Sequence, residues 1–140
     1  MKEEAVRFGV SMSSALLKSF DELLAKMGYS SRSEAIRDII RNRLVEEEWK
    51  ETDRETVGTI TLVYNHEIRE LTEILTSLQH QYYKQIISTM HIHLDEHNCL
   101  EVLVVKGKSS EIKKIADRLI STRGVKHGKL TMTTMGKKLA

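Results

Sequence analysis

Apolar and polar positions along the chain change their rhythm twice. From Val6 to Met12, in VRFGVSM, the apolar residues Val6, Phe8, Val10 and Met12 alternate with Arg7, Gly9 and Ser11. That period of two predicts a short strand. A lone strand is not stable and no second candidate follows nearby, so this one has to pair outside its own neighbourhood.

From Ser13 the spacing becomes helical, with Leu16, Leu17, Phe20, Leu23, Leu24 and Met27 on one stripe. Ser13 or Ser14 can cap the start, and Gly28 suits a left-handed C-terminal position. Ser31 and Glu34 form an S-x-x-E capping box that opens a second helix, whose stripe is Ala35, Ile36, Ile39, Ile40 and Leu44. The first unit is therefore strand, helix, helix. Trp49 to Glu55, WKETDRE, loses the periodicity and reads as a linker or a frayed helix end, so the boundary is placed there: residues 1–50 form one domain and 56–140 another.

Beyond the boundary GTITLVYN reads as a strand, EIRELTEILTSLQHQYYK as a helix, IISTMHIHLD and CLEVLVVKG as strands, SSEIKKIADRLISTRG as a helix and VKHGKLTMT as a strand. The order β-α-β-β-α-β is the split arrangement of a ferredoxin-like sheet, and with the first unit it makes an α+β protein. There is no internal repeat and no low-complexity segment.

At 140 residues these two halves bury thin cores, which often need a partner subunit or a metal. No apolar run approaches the roughly 18 residues of a membrane span. The opening MKEEAVRFGV lacks the basic-then-apolar pattern of a secretory signal, so the expected compartment is the cytoplasm. The net charge of +2 is too small to argue for nucleic acid, and the halves are balanced: nine Lys/Arg against nine Asp/Glu in residues 1–50, thirteen against eleven in 51–140. A DNA surface must come from the placement of charge.

The candidate chemistry sits in TMHIHLDEHNCLE, where His91, His93 and the chain's single cysteine, Cys99, share a stretch that alternates like a strand. Strand parity puts His91 and His93 on one face and Met90, Ile92 and Leu94 on the other. With a loop over 94–98, His93 lies opposite Cys99, His91 opposite Glu101, and Ile92 faces Leu100. Three N and S donors then fall within about 7 Å of one another, close enough to reach one ion. A bare H-x-H is commonly two solvent-facing side chains, but the cysteine at the matching position favours ligation. The apolar face is expected to meet the helices and the donor face to point away from them.

A fourth donor is missing from the hairpin. His80, at the end of LTEILTSLQHQ, is the best candidate, yet its helix is expected on the opposite side of the sheet. The donor face also carries Leu103 and Val105, too apolar for solvent. A second subunit that covers this face and supplies His80 answers both points. His66, His97 and His127 read as surface or supporting histidines.

Together the halves resemble the nickel-responsive transcriptional repressors, a ribbon-helix-helix DNA-binding domain joined to an ACT-type, ferredoxin-like metal-sensing domain. The resemblance runs through RFGVSM, GYSSRSEAIRDIIR, LQHQ, HIHLDEHNCLE and RGVKHGKL. It implies Ni(II), one per subunit, held by His91, His93, Cys99 and a neighbouring subunit's His80. Three imidazoles and a thiolate suit square-planar Ni(II), whereas zinc would prefer a tetrahedron. Tyr64 and Glu101 are expected to support the imidazole N–H groups. Glu34 and Asp38 match an accessory cation position, with capping and ion pairing as the ordinary alternative.

The resemblance also gives the first strand its partner: two chains pair their strands into a ribbon that enters the DNA major groove. Arg7, Gly9 and Ser11 would face the bases, and Gly9 departs from the polar residue usual at that place. Arg32 and Ser33, at the start of the second helix, would meet a backbone phosphate. The implied assembly is a homotetramer, a dimer of dimers on a palindromic operator, repressing nickel uptake genes, with neither membrane nor small-molecule substrate. Alternatives are a sensor of Cu or Zn, a metal store or amino-acid-sensing module, and a metal-independent ribbon-helix-helix repressor. An enzyme is not expected, because four protein donors leave no open position for substrate.

Overall fold

The computed structural model describes residues 3–139. The chain divides into two compact units, one made of the residues up to Leu44 together with those from Gly136 onward and one spanning Val45–Met135.

In the first unit the caps set the helix limits. Helix α1, Ser14–Met27, begins where Ser13 Oγ accepts from the Leu16 amide at 3.2 Å, and stops where Gly28 takes a φ of 79°, a left-handed conformation that glycine adopts without strain. Helix α2, Arg32–Lys50, begins where Ser31 Oγ accepts from the Glu34 amide at 3.2 Å. Among the described residues of this unit Leu24 and Ala35 are the buried apolar side chains, while Leu16, Leu23, Met27, Ile39, Ile40 and Leu44 are exposed. Residues 6–12 form no ladder within the single chain, and Phe8 is 69% exposed. The strand expected there does not form within the single chain, and several apolar residues of the helical stripe are exposed with it.

The second unit follows the expected order. Strand β1 is Glu55–Asn65, α3 Leu71–Gln81, β2 Ile86–His93, β3 Asn98–Lys108, α4 Ser109–Ile120 and β4 Val125–Met132. The strands form one antiparallel sheet in the order β2-β3-β1-β4. Ile60, Leu62 and Tyr64 of β1 lie opposite Leu103, Glu101 and Cys99 of β3. With Leu71 and Leu75 of α3 and Ile112, Ile115 and Leu119 of α4 they enclose the core.

This reverses the expected faces. Cys99, Leu103 and Val105 point into the helix-covered core, and by register His91 and His93 belong to the same side. Met90, Ile92 and Leu94 stand exposed on the other side. The central strand decides the matter: β1 carries its large apolar residues at the positions paired with Leu103, Glu101 and Cys99, so that side must take the helices whatever β2 prefers.

Of the two readings of Trp49–Glu55, linker or helix end, the structure shows a helix end with a buried residue in it. Helix α2 runs on to Lys50, and Trp49 is 1% exposed within the core of the second unit. A single buried indole sets no helical period of its own, so burial here leaves no periodic trace. None of the helices among the described residues is long and apolar enough to cross a membrane.

Candidate metal centre

The β2–β3 hairpin holds the donors in the anticipated register: His93 opposite Cys99, Ile92 opposite Leu100 and His91 opposite Glu101. Its loop is pinned by Asp95, whose Oδ1 accepts from the backbone amides of His97 and Asn98, both at 2.8 Å, while Asn98 Nδ2 donates to Oδ2 at 2.9 Å. The Asn98 side chain and these amides hold the Asp95 carboxyl down to about 2. A hairpin closed this way cannot slip by one residue, which would send both histidines to the other face.

Cys99 is buried, and its thiol is pushed up from the ordinary value by burial first and then by the charges of Asp95 and Glu101. His93 Nδ1 lies 3.6 Å from its sulfur and His66 Nδ1 only 3.2 Å. His66, His93 and Cys99 each offer one donor atom, all within 4.8 Å of one another. Imidazole nitrogen with thiolate sulfur is a donor set suited to nickel, copper or zinc and poor for magnesium or calcium. His91 stands beside this group, its ring centroid 5.3 Å from that of His93.

His66, read from the sequence as a supporting histidine, is thus the residue whose position was missed. It follows β1 directly, and its amide bonds to the His97 carbonyl at 3.1 Å, which draws the end of β1 against the hairpin loop. The signal available was the pairing of Tyr64 with Cys99: a residue just past Tyr64 must lie near the cysteine.

Glu101 is the one acidic side chain buried under the donor face among the described residues. Tyr64 donates its hydroxyl to Oε2 at 2.8 Å; Gln79 Nε2 and the Thr89 hydroxyl donate to Oε1 at 2.7 and 3.2 Å. Burial, and then Glu101, raise the Tyr64 phenol well above its usual range. Tyr64 and Glu101 therefore bind each other, and the Tyr64 ring stands 6.1 Å from that of His91. His80 lies on α3 beside Gln79, lining with Thr89, His91 and Glu101 an open cleft of about 430 Å³. Since α3 covers the donor side, the sheet does not separate His80 from the hairpin of its own chain, contrary to the expectation from sequence. His80 is nonetheless outside the group formed by His66, His93 and Cys99.

In the first unit Arg7, Gly9 and Ser11 are exposed. Arg32 forms a fork with Asp21, Nε to Oδ1 and Nη2 to Oδ2, both at 2.8 Å, while Ser33 is exposed. Glu34 accepts from the Ser30 hydroxyl at 2.9 Å, and Asp38 accepts from Tyr29 at 2.8 Å and Arg41 at 3.1 Å. Neighbouring donors thus already engage both carboxylates of the accessory position.

Two family models match the chain: "NikR C terminal nickel binding domain" over residues 57–133 and "Ribbon-helix-helix protein, copG family" over residues 6–47. The chain belongs to the nickel-responsive regulator family. Relatives named "Putative nickel-responsive regulator" include one from Caldanaerobacter subterraneus, 65% identical over 98% of this chain and 89% of its own length. One from Geobacter metallireducens is 59% identical over 97% and 98%, and one from Pyrococcus furiosus 58% identical over 94% and 96%. A solved structure of an uncharacterised Thermotoga maritima protein superposes with a TM-score of 0.52 at 17% identity, over 58% of this chain and all of that one. That likeness concerns the fold alone.

Family membership accounts for both units. The nickel-binding match covers most of the sheet unit and the ribbon-helix-helix match most of the helix pair, so the chain is a DNA-binding transcriptional regulator and not an enzyme.

Proposed function

We propose that the protein is a nickel sensor whose metal joins two chains and thereby raises affinity for DNA. The donors are His91, His93 and Cys99 of one chain with the partner subunit's His80, one Ni(II) per subunit. The observation that carries this reading is the register of the hairpin, which seats a buried thiol opposite His93 and beside His91, all on the side that faces α3. His80, exposed at the rim of the cleft, is available to a second copy. When bound, nickel supplies a link between chains whose binding energy is realised only in the assembled arrangement.

The chain's own residues do the rest. The Asp95 loop holds the register, Glu101 fixes Tyr64, Gln79 and Thr89 around the cleft, and His66 keeps the metal-free thiol engaged. The exposed Met90, Ile92 and Leu94, with the half-buried Leu100, Val102 and Val104, make an apolar outer sheet face suited to a second sheet.

The assembly is a homotetramer, with the unit of residues up to Leu44 as DNA-binding and dimerising domain, short of the boundary at residue 50 expected from the sequence, and the unit from Val45 as sensing and tetramerising domain. Paired first strands present Arg7, Gly9 and Ser11 to the major groove. Because Arg32 is held by Asp21, the phosphate contact falls first to the amides at Ser33. The nickel-loaded tetramer binds a palindromic operator in the cytoplasm and represses nickel uptake genes. Gel-shift of promoter DNA with stoichiometric Ni(II), Cu(II), Zn(II) or no metal tests this, repeated for Cys99→Ala. Nickel-selective binding lost in the variant is expected; metal-independent binding unchanged in the variant would refute it.

A further inference from the structure

The C-terminal end of α2 and the two residues that follow it are gripped by three side chains of one other element. Lys113 Nζ donates to the Trp49 carbonyl at 2.9 Å, Ser109 Oγ to the Glu51 carbonyl at 2.9 Å and Ser110 Oγ to the Thr52 carbonyl at 3.0 Å. All three donors come from the first turns of α4. Helices α1, α3 and α4 end instead on their own backbone caps.

Trp49 is the centre of the grip. Its Nε1 donates to the Thr133 carbonyl at 2.8 Å, an oxygen that also accepts from the Thr56 hydroxyl at 3.1 Å. Its ring lies against Gly58, where a Cβ would come within 3.2 Å of it. Glu48, one residue earlier, accepts from the Thr134 hydroxyl at 2.9 Å and faces Arg54 at 3.5 Å. Gly58 and Tyr64 share one face of β1 by strand parity. Tyr64 in turn is paired with Cys99 and bonded to Glu101. One strand therefore carries the thiol's neighbour at one end and the seat of the indole at the other.

We propose that Trp49 is the positioning residue through which the donor hairpin acts on the DNA-binding helices. Helix α2 begins at Arg32, within the ribbon-helix-helix match, and runs as one helix to Lys50, where its end is held in this clamp. A change in β1 beside the thiol therefore reaches α2 as a displacement of its clamped end. The inference rests on nickel-dependent DNA binding by this chain, and Trp49 touches neither metal donor nor DNA-reading residue.

Two variants of the full chain separate coupling from folding. Trp49→Phe keeps a ring beside Gly58 but has no N–H for Thr133; Lys113→Met removes a grip that comes from a different element. For each, far-UV circular dichroism reports folding, the nickel–thiolate absorption reports loading, and gel-shift reports DNA affinity with and without nickel. The clamp predicts folded variants with wild-type nickel absorption and wild-type DNA affinity without metal. The nickel-dependent gain in affinity falls about tenfold in Trp49→Phe and by less in Lys113→Met. A folded Trp49→Phe with the full wild-type gain overturns the inference. Should Trp49→Phe not fold, Lys113→Met decides, and an undiminished gain there overturns it equally. A wild-type chain whose DNA affinity ignores nickel would instead refute the functional reading itself.

Discussion

His66 Nδ1 lies 3.2 Å from Cys99 Sγ, nearer than His93 Nδ1 at 3.6 Å. The metal-free thiol thus already has two imidazole neighbours. With the ligand role assigned to His91, His93 and Cys99, His66 supports the sulfur from outside the donor set. Replacing it by alanine is expected to weaken nickel binding about tenfold and leave the nickel–thiolate absorption in place. Cys99→Ala is expected to abolish that absorption. Loss of the band in His66→Ala would make His66 a ligand itself.

The raised Cys99 thiol sets a pH dependence. Burial, then Asp95 and Glu101, favour the protonated form, whereas nickel needs the thiolate. Binding must release that proton, so apparent affinity rises with pH by about tenfold per unit until the raised pKa is passed, and then levels. Isothermal titration of nickel in buffers of different ionisation enthalpy counts the proton. Affinity independent of pH around neutrality would mean the sulfur is not bound.

Glu101 is buried and its carboxylate takes hydrogen bonds from Tyr64, Gln79 and Thr89. Tyr64→Phe removes one donor to a buried charge and leaves the ring, at a cost of about 2 kcal/mol in folding stability. Chemical denaturation of the metal-free protein measures it. An unchanged midpoint would show that Gln79 and Thr89 satisfy Glu101 without the phenol.

Ile92 is 41% exposed on the outer sheet face, between Met90 and Leu94. A carboxylate at its place would stand within a sheet-to-sheet contact at a desolvation cost that such a contact cannot bear. Ile92→Glu is expected to yield folded assemblies smaller than a tetramer in light scattering after size exclusion. A tetramer of unaltered mass would place the interface elsewhere.

Much of this molecule was legible in its residues. Ser13, Gly28 and Ser31 mark helix ends because capping is a local bargain between one side chain and nearby amides. The hairpin register was legible because period-two alternation and a short loop leave one pairing that keeps Ile92 opposite Leu100. The covered side of the sheet was not: it depends on β1, whose pairing with β3 is a long-range choice that no window of β2 or β3 contains. Trp49 escaped for a related reason, since its indole is held by Gly58 of the next element and by Thr133, 84 positions away. His66 escaped because its role follows from the β1–β3 pairing and not from its own neighbours.

Complementation between two variants tests most directly whether nickel joins two chains. His80→Ala lacks the helix donor and Cys99→Ala lacks the hairpin thiol; neither alone should bind DNA in response to nickel. After subunit exchange, a mixed oligomer pairs the intact His80 of one variant with the intact hairpin of the other. Recovery of nickel-dependent DNA binding in the mixture is the predicted result. A mixture no more responsive than the two variants measured separately would contradict a site shared between subunits.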